Sequence, residues 1–183
     1  MIKMPGDKAA LIRRAKQGDP TAFAEIYDQH QPAIYRYIYY RLGDTATTED
    51  LTSQVFVRMV EKIDTFTYRG QSILAWLYTI ARNLIIDHRR RAGQVTMLPL
   101  DERLAANGND VERATERALA RRRLTAALAH LTQDQRQVIL LKFIEDMNNE
   151  QVAHVLDKSV GAVKSLQHRA LAALRRVLER NGI

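Results

Sequence analysis

Four polar side chains near the C-terminus are spaced so that they share one side of a helix. They lie in the segment SVGAVKSLQHRA, residues 159–170, and are Lys164, Ser165, His168 and Arg169. Residues four apart on a helix are neighbours on its surface. Lysine and arginine reach phosphates or guanine edges, whereas serine and histidine offer shorter hydrogen bonds. The pattern fits a helix that reads the major groove of DNA, although on an isolated helix a solvated face would be the favoured interpretation.

The preceding residues predict that this helix is the second of a helix-turn-helix. Such a unit needs a small residue where its helices cross, and Ala153 supplies it. Asp157 and Lys158 form the predicted turn, and Ser159 can cap the second helix. The turn often requires a positive φ, which aspartate tolerates better than most side chains. The apolar anchors of the second helix are Val160, Val163 and Leu166.

A second polar row lies in the segment ILAWLYTIARNLIIDHRRR, residues 73–91. Asn83, Asp87 and Arg90 fall on one side of the predicted helix, away from apolar residues such as Leu84. An amide and a carboxylate flanked by arginines make a surface that can read bases and hold phosphates.

Tyr68 lies in the loop TYRGQS that precedes this helix. An exposed tyrosine in such a loop can stack on an unpaired base. Considered alone, a partly buried loop tyrosine is the simpler interpretation.

The sequence lacks recognisable patterns of catalysis or metal binding. It contains no cysteine, which excludes disulfides, thiolate zinc sites and cysteine nucleophiles. Its five histidines, at positions 30, 88, 130, 154 and 168, are scattered and show no paired spacing for a metal. Neither a phosphate-binding loop nor a nucleophile elbow occurs. We therefore expect no catalytic residues, no metal and no cofactor, and a hydrolase or metal enzyme is the disfavoured alternative.

The elements that must position these residues read as helices throughout. Apolar residues recur at helical spacing from residue 8 to 91 and again from 118 onwards, with breaks at Gly18–Thr21 and at Gly43-Asp44. Thr47 or Thr48 is the expected cap of the third helix. The buried stripe expected on that helix is Val55, Phe56, Met59, Val60 and Ile63.

The stretch between the two helical parts changes character. Gly93, Pro99 and Asn107-Gly108-Asn109, together with mixed charges, indicate a linker. Thr132 is the expected cap of a helix that follows it. The predicted fold is all-α, with two small helical domains, residues 1–91 and 119–183, joined by a flexible linker at 92–118.

The charge is concentrated in the two predicted domains. The net charge is +7; residues 1–91 contribute +4, residues 92–118 contribute −2 and residues 119–183 contribute +5. Basic lobes suggest a polyanionic partner.

No apolar run approaches the ~20 residues that span a bilayer, and the N-terminus is too charged for a signal peptide. A cytoplasmic protein without membrane insertion is expected.

The two helical blocks resemble the sigma factors of the extracytoplasmic-function (ECF) group of bacteria. The segments AFAEIYDQHQPAIYRYIYYRLGD, TEDLTSQVFVRMVEKIDTF and YRGQSILAWLYTIARNLIIDHRRR resemble sigma region 2. The segment LTAALAHLTQDQRQVILLKFIEDMNNEQVAHVLDKSVGAVKSLQHRALAALRRVL resembles sigma region 4. The blocks occur in the family's order, and together they cover nearly all of the chain outside the N-terminal tail and the linker.

The resemblance implies an alternative initiation factor that binds core RNA polymerase, recognises the −35 and −10 promoter elements and promotes duplex opening. Contacts with the clamp helices of the β′ subunit are implied for Glu49, Asp50, Gln54 and Phe56, and the β flap is a further implied partner. The loop that captures a flipped base corresponds to Tyr68, Arg69, Gly70, Gln71 and Ser72. The resemblance assigns −10 recognition to Asn83, Asp87 and Arg90, and −35 recognition to Lys164, Ser165, His168 and Arg169. It also implies an anti-sigma factor as a partner.

The chain departs from the family's pattern at the helix-turn-helix. Asp157 stands where glycine is common, and Lys158 stands where a hydrophobic residue usually follows. Leu166-Gln167 replaces a frequent Arg-Leu pair, which shifts the apolar anchor and bears on the identity of the base contacts. The alternative of a stand-alone helix-turn-helix regulator would explain residues 119–183 but would leave the polar row at 83–90 without a use.

Overall fold

The computed structural model describes residues 5–67, 72–93 and 124–180. Within those ranges the chain is helical apart from short turns, and no strand occurs there. The prediction of an all-α protein is therefore confirmed. Two compact units are distinguished along the chain, Met1–Ile38 with Glu49–Gln94 and Tyr39–Thr48 with Val95–Ile183. Of the predicted linker, residues 94–118 lie outside the described residues.

The N-terminal part consists of helices that end close to the predicted breaks. They are α1 (Pro5–Lys16), α2 (Pro20–Leu42), α3 (Thr45–Lys62) with a 3-10 turn at Ile63–Thr65, and α4 (Ile73–Arg91). Gly18 and Gly43, with φ of 78° and 75°, lie at the ends of α1 and α2. These left-handed conformations favour glycine because a Cβ would be strained there. The helices are interrupted at these two points, as the sequence predicts.

The cap of α3 differs from the prediction. The carboxylate of Asp44 accepts a hydrogen bond from the backbone N–H of Thr47 at 2.6 Å. The Thr48 hydroxyl instead donates to the Asp44 carbonyl at 2.6 Å. Capping by Thr47 or Thr48 is therefore wrong, because the helix already begins at Thr45 and aspartate is among the preferred capping residues.

The core of the N-terminal part is built where α2, α3 and α4 pack together. Tyr37 and Tyr78 are fully buried and meet edge to face, with ring centroids 5.0 Å apart. Four of the five residues predicted for the buried stripe of α3 are indeed buried. The exception is Val60, which is 49% exposed. Residue 60 lies at the margin of the stripe, where helical spacing alone cannot say how far the neighbouring helix reaches.

An ionic network joins α1 to α2. Arg14 Nε lies 2.7 Å from Asp19 Oδ2, and the other oxygen of Asp19 accepts hydrogen bonds from the Thr21 hydroxyl and backbone N–H at 2.7 and 2.9 Å. The bonds from Thr21, and then that from Arg14, lower the pKa of Asp19 to about 2. The turn between the two helices is therefore held by a carboxylate that stays ionised in all but strong acid.

The C-terminal part contains the helix-turn-helix. Residues 124–129 form α5, and α6 (Gln133–Ile139) continues into a π-helical turn at Leu140–Ile144. They are followed by α7 (Asn149–Leu156) and α8 (Val160–Arg180). The core between them consists of fully buried aliphatic residues, among them Leu128, Val138, Leu141, Val152, Val155 and Val163.

Polar groups fix the ends of these helices. Thr132 and Gln135 form a reciprocal capping box at the start of α6, which confirms the predicted cap. Arg136 is buried and donates from Nε and Nη2 to the carbonyls of Leu128 and Ala129, at 2.9 and 3.3 Å. Burial lowers the pKa of the Arg136 guanidinium. These bonds satisfy carbonyls at the C-terminus of α5 that have no partner within the helix.

None of the helices in the described ranges is long and apolar enough to cross a membrane.

Candidate DNA-reading and protein-binding surfaces

The turn between α7 and α8 has the geometry that a helix-turn-helix requires. Asp157 adopts the left-handed conformation, with φ 53° and ψ 52°. The backbone N–H of Lys158 then donates to the Ala153 carbonyl at 2.9 Å, which closes the end of α7. The hydroxyl of Ser159 accepts from the Ala162 N–H at 3.2 Å and caps α8. The predictions for Asp157 and Ser159 are confirmed.

The polar face predicted on α8 is exposed in full. Lys164, Ser165, His168 and Arg169 all lie on the solvent side of the helix, and Val163 is fully buried on the other side. Arg169 Nε donates to the Ser165 carbonyl one turn earlier, at 3.3 Å. The face therefore holds two cations, a hydroxyl and an imidazole over about two helical turns.

Gly161 extends this face toward the start of α8. It is exposed and lies three residues before Lys164 and seven before His168, which places it on the same side of the helix. Gly161 was not among the predicted reading residues, because it has no side chain to read a base, although its helical spacing is the same.

The polar row on α4 is also largely accessible. Asn83 and Arg90 are exposed, Asp87 is half-buried, and Arg90 Nη2 lies 3.4 Å from Asp87 Oδ1. Ile86 is 36% exposed and lies between Asn83 and Arg90 on the same side, because residues 83, 86, 87 and 90 share one helix face. The polar pattern that predicts this row does not point to the apolar residue within it.

The predicted base-capturing loop is only partly described. Tyr68, Arg69, Gly70 and Gln71 lie outside the described residues. Ser72 is the cap of α4, and its hydroxyl accepts from the Leu74 N–H at 3.2 Å. Ser72 thus joins the loop to the helix that carries the polar row, and its contact with a base stays a prediction.

The predicted polymerase-contact residues on α3 differ in accessibility. Glu49 and Asp50 are exposed, and half-buried Gln54 donates from Nε2 to Asp50 Oδ2 at 2.8 Å. Phe56 is only 6% exposed, because its ring packs edge to face against Tyr27, with centroids 4.7 Å apart. The structure therefore places Phe56 in the core, and its contact with polymerase stays a prediction.

Exposed apolar residues on α3 were missed by the sequence reasoning. Val57 and Val60 are 57% and 49% exposed. Val57 follows Asp50 by seven residues and Val60 follows Glu49 by eleven, so all four lie on one side of the helix. The accessible face of α3 is thus acidic at its start and apolar toward its end.

In the parts of the chain that the structure describes, no group of three or more histidine, cysteine or acidic side chains is placed to hold a metal ion.

Comparison with known proteins identifies both helical blocks. Residues 26–95 match the family model of sigma-70 region 2, and residues 121–174 match that of sigma-70 region 4. The chain is 41% identical over 172 residues to the ECF RNA polymerase sigma factor BldN of Streptomyces coelicolor. That alignment covers 92% of this chain and 64% of BldN, so the chain spans less than two thirds of this relative.

A second relative and a solved structure match over most of their length. The chain is 30% identical over 177 residues to the ECF RNA polymerase sigma factor SigW of Bacillus subtilis, which covers 91% of this chain and 94% of SigW. Its fold is similar to that of CnrH, solved in complex with the cytosolic domain of CnrY. The TM-score is 0.73 at 25% identity, and the match covers 94% of this chain and 97% of that one. The chain belongs to the ECF sigma factors of bacterial RNA polymerase.

Proposed function

We propose that this chain is an alternative transcription initiation factor that binds core RNA polymerase, recognises the −35 and −10 promoter elements and promotes opening of the duplex. The observation that carries the proposal is the helix-turn-helix formed by α7 and α8. Its second helix exposes Lys164, Ser165, His168 and Arg169 to solvent. The match of residues 26–95 to sigma-70 region 2 supports the proposal further, because a sigma factor uses both regions on one promoter.

The two regions divide the work. Residues 1–91 bind core polymerase and act on the −10 element, residues 92–118 connect the regions, and residues 119–183 read the −35 element. Because the connection keeps the second contact close once the first has formed, two weak DNA contacts combine into a stronger one.

Recognition of the −10 element is assigned to α4 and to the loop before it. Asn83 and Asp87 offer hydrogen-bonding groups to bases, and Arg90 is long and exposed enough to reach a phosphate. The loop Tyr68–Ser72 is proposed to hold a base flipped from the duplex. Support for this comes from Ser72, which caps α4 and so ties that loop to the polar row.

The polymerase-binding surface is assigned to α3. Glu49, Asp50 and Gln54 lie at its acidic start, and Val57 and Val60 add exposed apolar area toward its end. An apolar centre beside charged groups is the usual composition of a specific protein interface. The clamp helices of the β′ subunit are the proposed partner of this face, and the β flap is the proposed partner of residues 119–183.

Further properties follow from membership of the family. CnrH, which this chain resembles in fold, was solved bound to the cytosolic domain of CnrY. We propose that an anti-sigma factor likewise binds this chain in the cytoplasm. The chain itself is proposed to carry out no catalysis and to need no cofactor, because RNA synthesis belongs to the polymerase.

Reconstitution with core polymerase tests the proposal. The purified chain should form a one-to-one complex with the core, and that complex should select promoters with two separated elements from random DNA. A stand-alone helix-turn-helix regulator would bind DNA equally well without the core. Failure to bind the core, with DNA selection retained, would replace the proposal with that alternative.

A further inference from the structure

The turn between α7 and α8 contacts a residue of α6, which lies outside the helix-turn-helix. In a helix ending of this kind, the residue after the left-handed one usually makes a hydrophobic contact with the helix it follows. Here that residue is Lys158, which is only 31% exposed. Its ammonium lies 3.1 Å from Asp134 Oδ2. An ion pair thus stands where an apolar contact is usual.

Asp134 is well placed to act as an anchor. It lies in the first turn of α6, directly after Thr132 and Gln133, where the reciprocal capping box with Gln135 orders the backbone. A carboxylate at this end of a helix is also favoured by the helix dipole. Because α6 packs against α8, the anchor belongs to the scaffold on which the recognition helix rests.

The position of Lys158 links this anchor to DNA reading. Ser159, the next residue, caps α8, and the reading face begins within two turns of that cap. A change in the direction in which the chain enters α8 would shift the start of the helix and, with it, the positions of Lys164 and His168. Base recognition is sensitive to such displacement, because hydrogen bonds to base edges require close geometry.

We propose that the Asp134–Lys158 ion pair is a latch that sets the orientation of α8, so that both are positioning residues for reading of the −35 element. The inference rests on the proposed role of α8. The rival interpretation is that Lys158 contacts a DNA phosphate and that Asp134 only reduces the local positive charge.

Asp134→Asn separates the two interpretations because they predict different results: the rival predicts tighter binding to both promoters with their affinity ratio unchanged, and the latch predicts a lower ratio. Removing a negative charge from a basic lobe should tighten DNA binding if only electrostatics matters. If the latch orients α8, the holoenzyme should instead lose discrimination between a promoter with its selected −35 element and one with that element scrambled. We expect the ratio of the two affinities to fall about two- to five-fold, the range of a partly exposed ion pair.

A different ion pair, which lies within α8, provides a matched control. Arg175 Nε lies 2.8 Å from Glu179 Oε1, and both side chains are well exposed in the last turns of the helix. Glu179→Gln makes the same charge change as Asp134→Asn and also breaks an ion pair. It should leave the affinity ratio unchanged. Asp134→Glu, which retains the charge, should keep most of the discrimination.

The experiment measures holoenzyme affinity for both promoters, with thermal unfolding of each variant in parallel. The double variant Asp134→Asn/Lys158→Gln should discriminate no worse than Asp134→Asn, since both changes open the same latch. An affinity ratio for Asp134→Asn equal to that for Glu179→Gln, or a further fall of the ratio in the double variant, would refute the proposed latch. A wild-type holoenzyme that ignores the −35 element would instead refute the proposed role of α8.

Discussion

On the exposed side of α8, Gly161 has no packing reason to lack a side chain. A Cβ at this position would meet nothing nearer than the Ser159 hydroxyl, at 4.0 Å. Glycine within a helix costs roughly 0.5–1 kcal/mol relative to alanine. Gly161→Ala should therefore stabilise the free protein by up to about that amount. Because residue 161 shares the proposed reading face, we expect the added methyl group to weaken promoter binding.

Thermal unfolding and holoenzyme binding to promoter DNA measure the two effects of Gly161→Ala separately. Affinity for core polymerase serves as the control and should not change. A variant that gains stability and still binds the promoter as the wild type does would place residue 161 outside the DNA interface.

Asp19 predicts how the N-terminal helices respond to acid. Its pKa falls from an ordinary 3.8 to about 2 in the folded protein, chiefly through the Thr21 hydroxyl and then Arg14. A group whose pKa is lower in the folded state than in the unfolded state stabilises the fold at pH values above its unfolded pKa. This contribution is lost as the pH falls toward the pKa of the folded state. Asp19→Asn should therefore destabilise the protein at neutral pH and reduce the loss of stability between about pH 4 and pH 2.

Urea unfolding at pH 6 and pH 3 tests this prediction. Thr21→Val removes one bond to Asp19 but leaves the backbone N–H in place, so its pH dependence should lie between those of the wild type and Asp19→Asn. Equal pH dependence in all three proteins would show that Asp19 is not the group responsible.

At the scale of a helix, α3 separates residues that fold the protein from residues that bind its partner. Phe56 is buried against Tyr27, whereas Val60 is half exposed. Phe56→Ala should reduce the free energy of unfolding by about 3–5 kcal/mol. Val60→Glu should change it by less than about 0.5 kcal/mol, yet weaken core-polymerase binding about tenfold or more if this face is a centre of the interface.

Fluorescence titration with core polymerase, together with urea unfolding, distinguishes these roles. Ala9→Glu, at an exposed position of α1, adds the same charge elsewhere and should affect neither measurement. Core binding by Val60→Glu at wild-type strength would remove the apolar end of α3 from the proposed interface.

Helices and their ends were predictable from sequence where the signal is local. The breaks at Gly18 and Gly43 and the caps Thr132 and Ser159 depend on residues within a few positions of one another, and all four are found as predicted. The cap of α3 was predicted wrongly because Asp44, Thr45, Thr47 and Thr48 are all of types that cap helices, and the local sequence does not decide among them.

What the sequence could not provide are the contacts between distant residues. No local sequence pattern identifies Lys158 as the partner of Asp134. From the sequence alone, Lys158 was therefore only a departure from the family's pattern. Exposure of Val60 is likewise decided by how far the neighbouring helices cover α3. The reading face of α8 was predictable, because one buried side defines the opposite exposed side.

At the scale of the whole molecule, the proposed function requires DNA to be opened without ATP. The free energy must come from contacts that exist only with the unpaired strand. Flipping a base from its stack costs a few kcal/mol, and stacking on an aromatic side chain returns about 1–3 kcal/mol per base. The resemblance to the family gives this role to Tyr68, whose loop leads through Ser72 into the polar row of α4.

Tyr68→Ala should therefore affect opening more than binding. We expect core binding and closed-complex formation to stay close to wild type, while the permanganate reactivity of unpaired thymines falls. A promoter pre-opened by mismatches should restore much of the transcription, because the strands no longer have to be separated by the protein. Normal opening by Tyr68→Ala would refute the stacking role, and loss of folding in this variant would make Tyr68 a structural residue.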